Sequence, residues 1–202
     1  MSNPDDCSSL LLETVGRLTA AGIPYMIAGS FAVVLHGQAR ATQDIDIVIA
    51  PTQEQLDSFV AAVGKEHYVS PQAARDALAQ RSLFNVINTS TGWKIDLIIR
   101  KSRPFSVEEF GRRCPVKFLG KTVDVVSPED SILSKLEWSK KGNSERQLRD
   151  AESVAVLLWS SLDVPYLRRW AAELGVASEL DLVLRRASDL QAGRSNASEG
   201  AP

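Results

Sequence analysis

Cysteine, histidine and net charge are all scarce in this 202-residue chain. Its two cysteines, Cys7 and Cys114, stand far apart with no CxxC spacing. That excludes a disulfide framework and a cysteine-based zinc site, and it suits a reducing compartment such as the cytoplasm. His36 and His67, the only histidines, lack a ligand-like partner at helical spacing and read as structural. No run of about 18 apolar residues occurs, so no transmembrane helix and no membrane partner are expected. The opening MSNPDDCSS lacks the basic region and apolar core of a signal peptide. A formal net charge of −2 argues against binding nucleic acid by bulk electrostatics alone.

What is present is ordinary in amount: 44% hydrophobic and 24% charged residues, a soluble globular composition. A chain of this length buries about 70% of its unfolded surface, enough to need no covalent staple. The charge is uneven. Residues 1–99 hold 6 Lys/Arg against 10 Asp/Glu, whereas residues 100–149 hold 12 against 7. The basic middle is either a solvated face or an anion or RNA site.

Periodicity sets out the elements. SSLLLETVGRLTAAG (8–22) repeats as a helix, IPYMIAG reads as a buried strand ending at Gly29, and Ser30 caps a helix to Gly37. DIDIVIA is a strand, residues 52–63 and PQAARDALAQ are helical, and SLFNVINTS and WKIDLIIR form a hairpin at Thr91-Gly92. VEEFGRRC reads as helical, and VKFLGKTVDVV as a second hairpin turned at Gly120-Lys121. Ser127, Pro128 and Asp130 then have the pattern of a helix start, and almost all that follows is helical. The expectation is an α+β (mixed α/β) chain. A mixed β-sheet flanked by helices fills residues 1–126, a C-terminal helical subdomain fills 127–190, and 191–202 form a disordered tail.

Chemistry concentrates in GSFAVVLHGQARATQDIDIVI (29–49). A strand ending in Gly29-Ser30 and feeding a helix offers backbone N–H groups to a phosphate, although such a pair also serves as a plain cap. Asp44 and Asp46 alternate with Ile45 and Ile47, so both carboxylates leave one strand face. Two carboxylates there make a hard-oxygen platform for Mg²⁺, or a wet strand face. Asp96 lies inside the apolar run IDLII, where an unpaired charge is costly. If its strand lies beside that of Asp44 and Asp46, the three acids converge on two Mg²⁺ ions and a nucleoside triphosphate, Mn²⁺ being an alternative metal. The competing reading pairs Asp96 with Lys94 or Arg100 at a wet edge.

The order hydrophobic-Gly-Ser, thirteen residues, Asp-Ile-Asp-Ile, then a later Ile-Asp-Leu resembles the DNA polymerase β-like nucleotidyltransferase superfamily over about residues 20–100. GSFAVVLHGQARATQDID is similar to small bacterial AbiEii/AbiGii-type and related nucleotidyltransferases. SPEDSILSKLEWSKKGNSERQLRDAESV resembles the helical portion of that group more loosely. The resemblance implies transfer of a nucleoside monophosphate from an NTP to an acceptor hydroxyl, with pyrophosphate leaving. Asp44, Asp46 and Asp96 would ligate metal, and Gly29 and Ser30 would hold phosphates. Arg40 and Thr42 would reach the triphosphate, and Lys135 would neutralise pyrophosphate; surface roles for Arg40 and Lys135 stay open.

Arg146, Arg149 and Asp150 form either a phosphate clamp or an exposed ion-pair face. Trp138, Trp159 and Trp170 read as core. The expected acceptors are RNA such as tRNA, a protein or a small molecule, in a toxin-like enzyme or an antibiotic-modifying one. The other class is a non-catalytic nucleotide-binding partner, for instance an antitoxin with a cognate toxin.

Overall fold

Period-two alternation sets the central strands. In β2 (Ile45–Ile49) and β5 (Lys94–Ile99), Ile45, Ile47, Ile49, Ile95, Leu97 and Ile99 are buried, while the residues between them are half-buried or exposed. Fully burying one such aliphatic side chain stabilises by about 1.5–3 kcal/mol, so this shared face dominates the energetics of the pair. The computed structural model describes residues 4–37, 45–142 and 144–199, with side-chain detail from Cys7 to Ala192. Asp44, Arg40 and Thr42 lie outside the described residues.

The chain divides into two compact units, Met1–Ala32 with Arg40–Val126, and Val33–Ala39 with Ser127–Pro202. The first contains α1 (Pro4–Ala20), β1 (Tyr25–Ala28), β2, α3 (Gln53–Ala62), β3 (His67–Tyr68) and α4 (Pro71–Gln80). It continues through β4 (Leu83–Asn88), β5, α5 (Pro104–Gly111), β6 (Cys114–Phe118) and β7 (Lys121–Val125). Helix α2 (Gly29–Leu35) begins in the first unit and ends in the second. The strands form a seven-stranded mixed sheet in the order β3-β4-β5-β2-β1-β7-β6, the mixed α/β architecture expected from the sequence. Pairs β2/β5 and β1/β7 are parallel and the others antiparallel. Edge strand β6 tolerates Pro115, which has no N–H to give a ladder.

Local chemistry fixes the ends. Thr52 and Gln55 form a reciprocal capping box at α3, and Gln55 Nε2 also donates to the Gly22 carbonyl at 2.6 Å. Ser70 caps α4, with Pro71 at its start. The β4–β5 hairpin turns where Asn88 Oδ1 accepts from the Ser90 and Thr91 N–H groups, each at 3.0 Å.

The second unit consists of α6 (Pro128–Gly142), α7 (Glu145–Leu157), a 3₁₀ turn at Trp159–Ser161, α8 (Val164–Leu174) and α9 (Ala177–Glu199). Ser127 Oγ accepts the Asp130 N–H at 3.2 Å and donates to Asp130 Oδ2 at 2.7 Å. Tyr166 reaches from α8 to Asp130 Oδ1 at 2.5 Å, so the cap also ties α6 to α8.

Four expectations change. Phe118 pairs with Lys121, placing the second hairpin turn on Leu119-Gly120 rather than Gly120-Lys121. Helix α5 stops at Gly111, because Cys114 already pairs with Val125 in the sheet. Helix α9 runs through residue 190 to Glu199, where a tail was expected. Of the tryptophans read as core, Trp170 is buried but Trp138 is 63% exposed.

Candidate active site

Parallel pairing of β2 with β5 sets Asp46 directly beside Asp96, with Ile45 beside Ile95 and Ile47 beside Leu97. Register partners of neighbouring strands share a sheet face, so both carboxylates leave on the face opposite the isoleucine layer. The same transverse row continues on either side. Ala28 of β1 pairs with Asp46, and Asn85 of β4 pairs with Asp96.

Next to Ala28, Gly29 opens α2 with φ +63°, a left-handed conformation that a side chain disfavours. Space is the second constraint. A Cβ at position 29 would overlap Asp46 Oδ2 and lie 2.8 Å from its Cγ. The Asp46 carboxylate therefore rests against the backbone at the start of α2, and Ser30 is the next residue. The first N–H groups of any helix lack intrahelical acceptors. Gly29, Ser30 and Asp46, some sixteen residues apart in the chain, are thus brought to one place.

Asp96 is 20% exposed and well held. Asn85 Nδ2 donates to its Oδ1 at 2.6 Å, and Lys94 Nζ donates to Oδ1 and Oδ2 at 3.2 and 3.4 Å. The Lys94 contact is the ion pair of the competing reading, so Asp96 combines a place beside Asp46 with a cationic neighbour. Arg100 is not its partner; it sits four residues further along. Asn85 escaped the sequence reading, because only the β4–β5 register, and not any spacing, reveals what it faces.

Two hard-oxygen carboxylates in register, one of them given room by the missing Cβ of Gly29, suit a divalent cation such as Mg²⁺. Among the described residues no three His, Cys, Asp or Glu side chains cluster as a metal site; Asp44, the third expected ligand, is outside them.

Lys135 is in the second unit. It is a buried helix lysine, not a solvated one, with Nζ 3.1 Å from Asp150 Oδ2 and 3.4 Å from Gln147 Oε1. Asp150 is buried, while Arg149 is exposed and pairs with Glu145 at 3.3 Å. Arg146, Arg149 and Asp150 therefore do not form one exposed ion-pair face: Asp150 is buried and pairs with Lys135 across α6 and α7. His67 is structural, its Nδ1 3.2 Å from Arg17 Nη1 and its Nε2 3.6 Å from Glu13 Oε2.

No family model matches the sequence, and no curated protein does. Solved structures do. An antigenic nucleotidyltransferase-like protein from Paracoccidioides brasiliensis aligns with TM-score 0.66 at 16% identity, covering 95% of this chain and 93% of that one. ANT(2")-Ia in complex with adenylyl-2"-tobramycin aligns with TM-score 0.55 at 14% identity, over 83% and 95% of the two chains. The lincosamide antibiotic adenylyltransferase LnuA, lincomycin-bound, gives 0.50 at 14% identity, over 78% and 99%. The fold is nucleotidyltransferase-like. Among the described residues no helix is long and apolar enough to cross a membrane.

Proposed function

We propose that this protein is a metal-dependent nucleotidyltransferase that moves a nucleoside monophosphate from an NTP to an acceptor hydroxyl. The observation behind it is the in-register Asp46–Asp96 pair, with the Asp46 carboxylate against Gly29 at the start of α2. In the reaction the acceptor oxygen bonds to the α-phosphorus and the bond from that phosphorus to the α–β bridging oxygen breaks. Pyrophosphate leaves, and the acceptor loses its hydroxyl proton.

Asp44, Asp46 and Asp96 would hold Mg²⁺ or Mn²⁺, two ions in the full reading. When bound, the metal would neutralise phosphate charge and make the acceptor hydroxyl more acidic. Asp96 would assist removal of the acceptor proton, and Asn85, donating to Oδ1, would keep its carboxylate oriented. Ser30 and the N–H groups opening α2 would hold the β- and γ-phosphates, with Arg40 and Thr42 beside them. Lys135 contributes less than its sequence position suggests, because Asp150 compensates its charge.

The acceptor class that the neighbours support is a hydroxyl-bearing small molecule: one is a lincosamide adenylyltransferase, and another was solved with adenylyl-2"-tobramycin. RNA such as tRNA, modified by a toxin-like enzyme of the AbiEii/AbiGii kind, is the second acceptor class. A non-catalytic nucleotide-binding role, as in an antitoxin-type partner, draws on the Lys94–Asp96 pair, which compensates Asp96 without metal.

One experiment separates these readings. The protein is incubated with Mg²⁺ and each α-labelled NTP, with an aminoglycoside and lincosamide panel or total tRNA, beside Asp46→Ala. Label transfer that disappears in Asp46→Ala supports the enzyme. NTP binding without transfer to any acceptor replaces it with the binding module.

A further inference from the structure

At the carboxyl ends of β2 and β5 the sheet carries a second feature, unrelated to the acid pair. A cleft of about 180 Å³ is lined by Ala50, Pro51, Leu78, Arg81, Ile99 and Arg100. From Asp46 to Ala50 the strand advances four residues, about 13 Å. We infer that this cleft binds a phosphate-sized oxyanion through Arg81 and Arg100.

Charge is the first argument. Arg81 and Arg100 line a small cleft whose other residues, Ala50, Pro51, Leu78 and Ile99, are apolar, and among the described residues neither arginine pairs with a carboxylate. Like charges gathered over a low-dielectric floor repel, and an anion between them removes that cost. Arginine forks match the oxygens of phosphate and similar oxyanions.

Arg100 also carries an unmet donor. Arg100 Nε is buried and has no hydrogen-bond partner. Its main chain is fixed by the N–H bond to the Ile49 carbonyl at 2.8 Å, and its guanidinium lies 5.7 Å from the centre of the Phe110 ring. A buried donor without an acceptor calls for a ligand, ion or water.

Backbone conformation supplies the third. Arg81 ends α4 in the left-handed region, φ 50° and ψ 44°, where glycine is the favoured residue. Its Nη1 donates to the Arg100 carbonyl at 2.9 Å, so the strained arginine is tied to the cleft wall. An arginine kept where glycine would be relaxed indicates a use for its side chain. The cleft is too small for a whole nucleotide, which limits the ligand to a free anion or one phosphate of a larger molecule.

The test uses the full chain in chloride buffer with EDTA, which keeps metal-dependent binding elsewhere silent. Inorganic phosphate, pyrophosphate and a short single-stranded oligoribonucleotide are titrated by calorimetry and thermal shift. The wild-type chain and Asp46→Ala are expected to bind at least one of them saturably. Arg81→Gly should weaken that binding by about tenfold or more while melting in chloride at the same temperature or higher. Arg100→Lys, which keeps the charge and loses the fork, should weaken it as well. Stronger binding of oligonucleotide than of phosphate, lost in Arg81→Gly, assigns the cleft to a nucleic-acid backbone. Stronger binding of phosphate or pyrophosphate, lost in the same variant, assigns it to a free anion. Equal binding by wild type and Arg81→Gly overturns the inference, and so does the lack of saturable binding by all three probes.

Discussion

A methyl group at position 29 has two consequences, and both reach Asp46. It forces an L-residue into φ +63°, at about 1–2 kcal/mol, and it occupies the space of the Asp46 carboxylate. Gly29→Ala is expected to destabilise the chain by about 1–3 kcal/mol in urea unfolding. With Asp46 displaced, label transfer should fall by about a hundredfold. Full transfer by the variant would show that this contact has no part in the chemistry. Two other residues give a pH dependence. Burial pushes the Cys7 thiol above its ordinary range, and burial also raises Tyr25, partly offset by the hydrogen bond with the Asp124 backbone. Both groups are neutral when protonated, so their stabilising effect is complete below the unfolded-chain values. It is lost as pH rises past roughly 8.5 for the thiol and roughly 10 for the phenol. Urea midpoints are therefore expected to be level near neutrality and to decline above about pH 8.5. Unchanged midpoints to pH 11 would contradict this. The two acids that the strands set in register were conspicuous in the sequence, since Asp46 and Asp96 each interrupt an apolar run. Asn85 was not, because it matters only through the strand that it faces.

At the scale of elements, the caps and hairpins follow from local chemistry that a sequence displays: Thr52 with Gln55, Ser70 with Pro71, Ser127 with Asp130. The Leu119-Gly120 turn was misplaced by one residue for an equally local reason. Its two central residues both have positive φ, 46° and 77°, the signature of a type I′ turn. Such turns favour Asn-Gly, and a leucine in the first position hides the signal. Leu119 is 66% exposed, so its removal sacrifices little packing. Leu119→Asn is expected to stabilise by about 0.5–1 kcal/mol, raising the melting temperature by about 1–4 °C. A lower melting temperature would mean that the leucine packs usefully despite its exposure. QAGRSNASEG has the composition of a polar tail, yet helix α9 continues to Glu199. Composition describes solvation better than it describes backbone.

At the scale of the whole molecule, strand order was the least legible property. β2 and β5 are neighbours although the chain places two helices and two strands between them, and no local pattern encodes that adjacency. The division into units is similar: Val33–Ala39 groups with the C-terminal helices, far from them in sequence. Charge, in contrast, can be read directly. A net −2 chain acting on an acceptor of little charge, such as a lincosamide, should transfer label at rates nearly independent of salt, whereas a polycationic aminoglycoside would be screened. Transfer to RNA would lose orders of magnitude between about 50 and 200 mM salt. Rates measured across that range separate a weakly charged small molecule from a highly charged acceptor, a steep dependence counting against the former.

The pairing of Asp46 with Asp96 also bears on how the sheet reaches its register. Side chains alternate along a strand, so moving β5 by one residue against β2 would carry Asp96 into the isoleucine layer and expose Ile95 and Leu97. A carboxylate without a partner in that layer costs several kcal/mol, which makes the slipped arrangement a poor competitor. The two aspartates therefore act as markers of correct alignment while the chain folds, before any ligand is present.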